Sequence, residues 1–128
     1  VFFIGFVLEI FLNIQLKRFY KEERPKGRIY FLAAEMNGQH GAQFGLPSGH
    51  SELAFYALSF MYFSIEKFTP LIWFSILVAV CSIYQRWAFH DHTLKQLLVG
   101  AIIGSLFGFG VVKVGKQLLL QLPFHQQK

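Results

Sequence analysis

Three short polar clusters interrupt an otherwise apolar chain, and their residue types suit an anion. The first is Lys17, six intervening residues, then Arg24-Pro25. The second is Pro47-Ser48-Gly49-His50. The third is Arg86, five intervening residues, His92, three more, then Gln96. A guanidinium presents a planar fork to two phosphate oxygens at once, and an ammonium adds a point charge. Gly49 permits close backbone approach at the start of an apolar helix, where free N–H groups attract anions. Taken singly, each cluster has a plainer reading. Lys17 and Arg24 could be an interfacial anchor after an apolar run, Ser48 a helix cap beside an incidental His50, and Arg86 another interfacial cation. The spacing of four between His92 and Gln96 predicts that they share a face near the start of a helix.

The elements that must carry these residues follow from composition. Hydrophobic residues make up 54% of the 128 residues, charged residues 15%, and Phe occurs 16 times. That balance is too apolar for an ordinary soluble domain and points to lipid as the solvent. The net charge is +5, and Lys17, Arg18, Lys21, Arg24, Lys26 and Arg28 crowd one stretch between membrane-like runs. This favours a phosphate or headgroup site over nucleic acid, which is not expected as a partner.

Four apolar segments stand out: 1–16, 53–65 with a milder extension back to Leu46, 68–84 and 97–112. A spanning helix needs about 20 mostly apolar residues, and the runs are too long and lack the period-two alternation of strands. The expected fold is therefore an all-α transmembrane bundle of about four apolar helices. Alternating helix direction places the stretch 17–47 and the stretch 86–91 at one membrane face, with Glu66, Lys67 and the C-terminal tail at the other. Lys17, Arg24, His50, Arg86 and His92 then meet. Gly100, Gly104 and Gly108 lie four apart, so one face of the last helix lets a neighbour approach closely. Pro123 is expected to end any helix in the tail. The single cysteine, Cys81, reads as a small buried apolar side chain, and no disulfide is available. The chain opens on Val1 inside an apolar run, with no signal-peptide pattern, and reads as a domain excerpt.

As a set, Lys17-x6-Arg24-Pro25, Pro47-Ser48-Gly49-His50 and Arg86-x5-His92 resemble the signature of the type-2 phosphatidic acid phosphatase superfamily. The resemblance runs from Lys17 to Gln96. Gln85 stands where the family has Ser, and Gln96 where it has Asp. The run His92-Thr93-Leu94-Lys95-Gln96, and the stretch from Phe44 to Glu52, are similar to the subgroup that hydrolyses dolichyl diphosphate. The departures also leave open a lipid-phosphate-binding protein with impaired turnover.

The resemblance implies one membrane-embedded phosphatase domain over 1–128, with further helices of the full fold upstream of Val1. It implies hydrolysis of a polyprenyl or dolichyl diphosphate, or of phosphatidic acid. His92 would be the nucleophile and form a phosphohistidine, His50 the acid and then the base. Gln96 would orient the His92 ring through its amide oxygen. Lys17, Arg24, Ser48, Gly49 and Arg86 would hold the phosphate. Neither a metal nor another cofactor is expected, because side-chain cations neutralise the phosphate and the acidic residues form no Mg²⁺-holding cluster. The partners expected are the lipid-phosphate substrate and membrane lipids. The place implied is that of an integral membrane protein, in the endoplasmic reticulum with a lumenal site. Asp91 could replace the missing carboxylate, although adjacent residues point in different directions on a helix. A zinc site from His40, His90 and His92 lacks any known ligand spacing. Glu9 and Asn13 share a face directed to the bundle interior or to a partner helix, Glu52 suits the first turn of its helix, and Glu22 and Glu23 offset the basic cluster.

Overall fold

The computed structural model describes residues 1–27, 44–65, 67 and 69–122. Arg28, His40, Glu66 and Pro123, which the sequence reading also touched, lie outside them. Four helices follow one another: α1 (Phe2–Tyr20), α2 (Gly49–Ser64), α3 (Pro70–Ala88) and α4 (Leu94–Gln121). Among the described residues the only strand-like feature is one antiparallel bridge between Glu23 and Phe44. The all-α expectation holds, and this is a membrane helical fold. Two helices, α3 and α4, are long and apolar enough to cross a membrane on their own. The α1 helix has 19 residues but carries Glu9, Lys17 and Arg18, and α2 has only 16. The outer surfaces of α1 and α3 are nonetheless those of a lipid-facing bundle. Phe3, Ile4, Val7 and Phe11 of α1, and Trp73, Phe74 and Leu77 of α3, are all more than half exposed.

The helix ends are written in local chemistry. Ser48 caps α2, its Oγ accepting from Ser51 N–H at 3.4 Å. Pro70 opens α3, where its missing N–H costs nothing. Thr93 and Gln96 form a reciprocal capping box on α4, Gln96 N–H to Thr93 Oγ1 at 3.2 Å and Thr93 N–H to Gln96 Oε1 at 3.1 Å. His92 therefore precedes the helix instead of sitting on it, which corrects the expected shared face with Gln96. The α1 helix ends at Lys21 in a left-handed conformation, its N–H on the Lys17 carbonyl.

The core is built around α2, which packs against the three other helices. The expected glycine face is its main contact. A Cβ at Gly100 would come within 2.6 Å of the Ser48 carbonyl oxygen, and one at Gly108 within 2.7 Å of that of Tyr56, while one at Gly104 would overlap the Glu52 carbonyl. Successive turns of α4 thus meet successive turns of α2 backbone to backbone. Ser51 and Ser59 of α2 add hydroxyl bonds at 2.7 Å to the Leu97 and Ser105 carbonyls. These satisfy the hydroxyls inside an apolar bundle. On the other side, Tyr56 O–H donates to the Phe2 carbonyl at 2.8 Å, and its ring stacks on Phe2 at 5.4 Å. The buried stripe of α1 is Gly5, Glu9 and Asn13, so the predicted inward face is observed. The α3 helix turns only Ile72, Ser75 and Ala79 inward. Cys81 lies off that stripe and is exposed, not buried as its type suggested.

Candidate phosphate-transfer site

The C-terminal ends of α1 and α3 and the N-terminal ends of α2 and α4 gather at one end of the bundle. The segments leaving them carry the three polar clusters, and hydrogen bonds join these directly. Arg24 Nη1 donates to Asp91 Oδ1 at 3.1 Å and to the Asp91 carbonyl at 3.3 Å. The same nitrogen faces His92 Nε2 at 3.3 Å. Arg86, in the last turn of α3, reaches Asp91 Oδ2 with Nη1 and His50 Nε2 with Nη2, the latter at 2.7 Å. Lys17, in the last turn of α1, is near enough for its charge to act on both imidazoles. Five residues far apart in sequence thus meet as the topology predicts.

Proton positions follow from the partners. A guanidinium only donates. The Nε2 atoms of His92 and His50 therefore accept from Arg24 and Arg86. His92 Nδ1 donates to the Gly45 carbonyl at 3.0 Å, a buried bond. His92 is thus the neutral Nδ1–H tautomer, with the Nε2 lone pair turned toward the cations. Its ring is 2% exposed. Burial, and then the Arg24 charge, push its pKa down to about 3. A neutral imidazole with an unprotonated Nε2 is the form that can attack an electrophilic centre.

Two expected roles shift. Gln96 does not touch the His92 ring among its hydrogen bonds; the Gly45 carbonyl holds that ring instead. The Gln96 amide is completely buried, with Nε2 donating to Glu22 Oε1 at 3.1 Å and to the Glu23 carbonyl at 2.9 Å. Ser48 is also completely buried and its Oγ caps α2, the plainer of its two readings. An anion at this end would meet the first-turn N–H groups of Gly49 and His50, which point out of the helix end. Gly49 sits close to α1: a Cβ there would come within 3.1 Å of Asn13 Oδ1, a contact the Asn13 side chain would have to yield to. Arg86 Nε is buried with no hydrogen-bond partner among the described residues, a donor suited to an oxyanion.

Some contributors were missed or only half seen in the sequence. Asp91 binds Arg24 and Arg86 together and is 3% exposed, while the Gly45 carbonyl holds the His92 ring at Nδ1. The backbone makes this placement, because Asp91 N–H and His92 N–H both return to the Arg86 carbonyl, at 3.0 and 3.3 Å. His90 turns the chain at φ 53 and is exposed. Gly45 had no individual signal at all. Behind the site, Asn13 Nδ2 donates to Glu52 Oε2 at 2.6 Å and to the Pro47 carbonyl at 3.4 Å, tying α1 to the entry of α2. Glu22 accepts from Lys95 Nζ at 2.7 Å, and this bond, with that from Gln96, holds its carboxyl below the usual range.

Comparison with known proteins agrees with the geometry. The PAP2 superfamily profile matches residues 1–119. The dolichyldiphosphatase of Saccharomyces cerevisiae is 29% identical over 126 residues, covering 86% of this chain and 49% of the yeast protein. Dolichyldiphosphatase 1 of Dictyostelium discoideum is 30% identical over 117 residues, covering 84% of this chain and 48% of that protein. Dolichyldiphosphatase 1 of Rhinolophus ferrumequinum is 27% identical over 136 aligned residues, covering 92% and 53%. The chain spans about half the length of these curated relatives. No solved structure gives a significant match. With the family profile running through all three polar clusters that converge on His92, the chain belongs to the PAP2 superfamily.

Proposed function

We propose that this chain is the catalytic part of a membrane lipid-phosphate phosphatase acting on a polyprenyl or dolichyl diphosphate through a phosphohistidine. The observation that carries the reading is the His92 ring, fixed at Nδ1 by a buried carbonyl while Nε2 faces Arg24. In the proposed reaction Nε2 attacks the terminal phosphorus, and the bond to the bridging oxygen breaks. The departing lipid phosphate takes a proton from His50. Water, giving a proton to His50, then splits the phosphohistidine to release inorganic phosphate and restore both rings.

His50 must be protonated for the first step, whereas here its Nε2 accepts from Arg86. A phosphate drawing Arg86 toward its oxygens frees that nitrogen to take up a proton. Arg24, Arg86 and Lys17 supply the positive charge that stabilises the transferring group, so no metal is required of the mechanism. The curated relatives' names point to dolichyl diphosphate, and the reading places the site on the lumenal side of the endoplasmic reticulum membrane.

The test is phosphate release by the full-length protein in detergent, from polyprenyl diphosphate and from phosphatidate, with and without a chelator. His92→Ala is expected to lose turnover by more than the roughly 10²–10⁴-fold that loss of acid–base help alone would produce. Rapid quenching should trap acid-labile phosphate on His92, and the chelator should change nothing. Release by His92→Ala near the native rate sinks the nucleophile assignment. Preference for phosphatidate reassigns the substrate, and no release from either points to lipid-phosphate binding without turnover.

A further inference from the structure

Gln96 touches all three clusters at once, and each of its polar groups has a different task. Its main-chain carbonyl accepts from Ser48 N–H at 3.1 Å, at the entry of α2. Its Oε1 accepts from Thr93 N–H at 3.1 Å and fixes the first turn of α4, directly after His92. Its Nε2 donates both protons, to Glu22 Oε1 at 3.1 Å and to the Glu23 carbonyl at 2.9 Å. The segment so held leads straight into Arg24, whose Nη1 faces His92. The same segment receives Gly45 N–H on the Glu22 carbonyl at 2.7 Å, and the Gly45 carbonyl in turn holds His92 Nδ1. Gly45 lies so close that a Cβ there would come within 2.5 Å of Gln96 Oε1.

We propose that Gln96 is a positioning residue that clamps the Glu22–Glu23 segment and the stretch at Gly45 together, so that Arg24 and the Gly45 carbonyl stay in register on the two nitrogens of His92. The inference rests on the reading of His92 as nucleophile only for its kinetic consequence; the clamp itself stands on the hydrogen bonds. It also accounts for the residue type. The position needs one acceptor, toward Thr93 N–H, and two donors, toward a carboxylate and a carbonyl. Only an amide has both. A carboxylate there would keep the cap but turn its second oxygen onto Glu22 and the Glu23 carbonyl, two acceptors, at a side chain that is itself completely buried. Gln in place of the family's Asp is therefore a requirement of this packing and not a weakened catalytic carboxylate.

The experiment uses the full-length protein in detergent with three variants: Gln96→Glu, Glu22→Gln and the double variant. Turnover is measured on a short-chain polyprenyl diphosphate, and backbone hydrogen exchange is followed over 22–24 and 44–48. Gln96→Glu is expected to lower kcat/KM roughly ten- to a hundredfold, the scale of a buried unsatisfied group, and to speed exchange in both stretches. Glu22→Gln alone loses an exposed ion pair with Lys95 and should stay within about threefold of the native rate. In the double variant the amide introduced at position 22 can donate to the new carboxylate, so most of the loss and the exchange protection should return. Native turnover in Gln96→Glu, a loss without faster exchange, or a loss that Glu22→Gln does not relieve would each overturn the proposal. If the native protein releases no phosphate, the functional reading fails, and exchange in Gln96→Glu still decides the clamp.

Discussion

The His92 side chain shows how burial and charge set a single residue's chemistry. Its folded pKa of about 3 stands well under the value near 6.5 of an ordinary imidazole, because the ring is desolvated and faces Arg24. Between those two values the unfolded chain binds a proton that the folded chain does not. Stability from this group is therefore complete above about pH 6.5 and is lost as pH falls toward 3, by up to about 1.4 kcal/mol per pH unit. Thermal melts from pH 7 to pH 4 should show the native protein losing more stability than His92→Gln, which cannot take up that proton. Parallel slopes would mean that the ring titrates normally. In the proposed reaction the same depression keeps His92 Nε2 unprotonated throughout the neutral range. Asp91 works at the same scale: one carboxylate holds two guanidiniums close together, where bare cations would repel each other.

At the scale of the element, the α2–α4 contact depends on what is missing from its glycines. A methyl at Gly104 would overlap the Glu52 carbonyl, which belongs to a helix backbone and cannot rotate away, whereas Gly110 faces open space. Gly104→Ala should therefore destabilise by about 1–3 kcal/mol, the usual cost of overpacking. Gly110→Ala should be neutral or gain up to about 1 kcal/mol from helix propensity. Melting temperatures of the two variants in one detergent make the comparison, and equal shifts would refute the close contact. This face was legible in the sequence, because a spacing of four on an apolar helix has one geometric meaning. So were the four helices, since their runs are long and apolar. Their ends were less so: α4 begins after Thr93 because of a reciprocal cap, and continues past Val112 to Gln121. Lys113 and Lys116 lie along it without stopping it, and Lys116 Nζ returns to the Phe63 carbonyl at 3.0 Å. What the sequence withheld was nonlocal. That the Gly45 carbonyl holds His92, and Gln96 the Glu22–Glu23 segment, depends on chain crossings between residues roughly fifty to seventy-five positions apart, as their sequence numbers show. No local pattern encodes such pairs.

The whole molecule separates its charges by length. At 1.5 Å per residue, the 19 residues of α3 span about 28 Å and the 28 residues of α4 about 42 Å, against a hydrocarbon layer of about 30 Å. Helix α3 just crosses such a layer, and α4 crosses with turns to spare. Lys17, Arg24, His50, Arg86 and His92 lie at one end, while Lys67 lies between α2 and α3 at the other. The bundle could bury its charges against each other inside a soluble protein, or hold them at two water interfaces. The exposed Phe, Leu and Trp side chains between the two ends favour the second arrangement. A Cys81→Ala background with single cysteines at the exposed positions Lys26 and Lys67 separates these cases. In sealed vesicles of uniform orientation, a membrane-impermeant maleimide should label one of the two from outside and the other only after permeabilisation. Labelling of both from outside would place the two ends on one side of the bilayer. A site at the α3–α4 junction could not then be a full membrane thickness from the α2–α3 turn, and the lipid would have to reach His92 by another route.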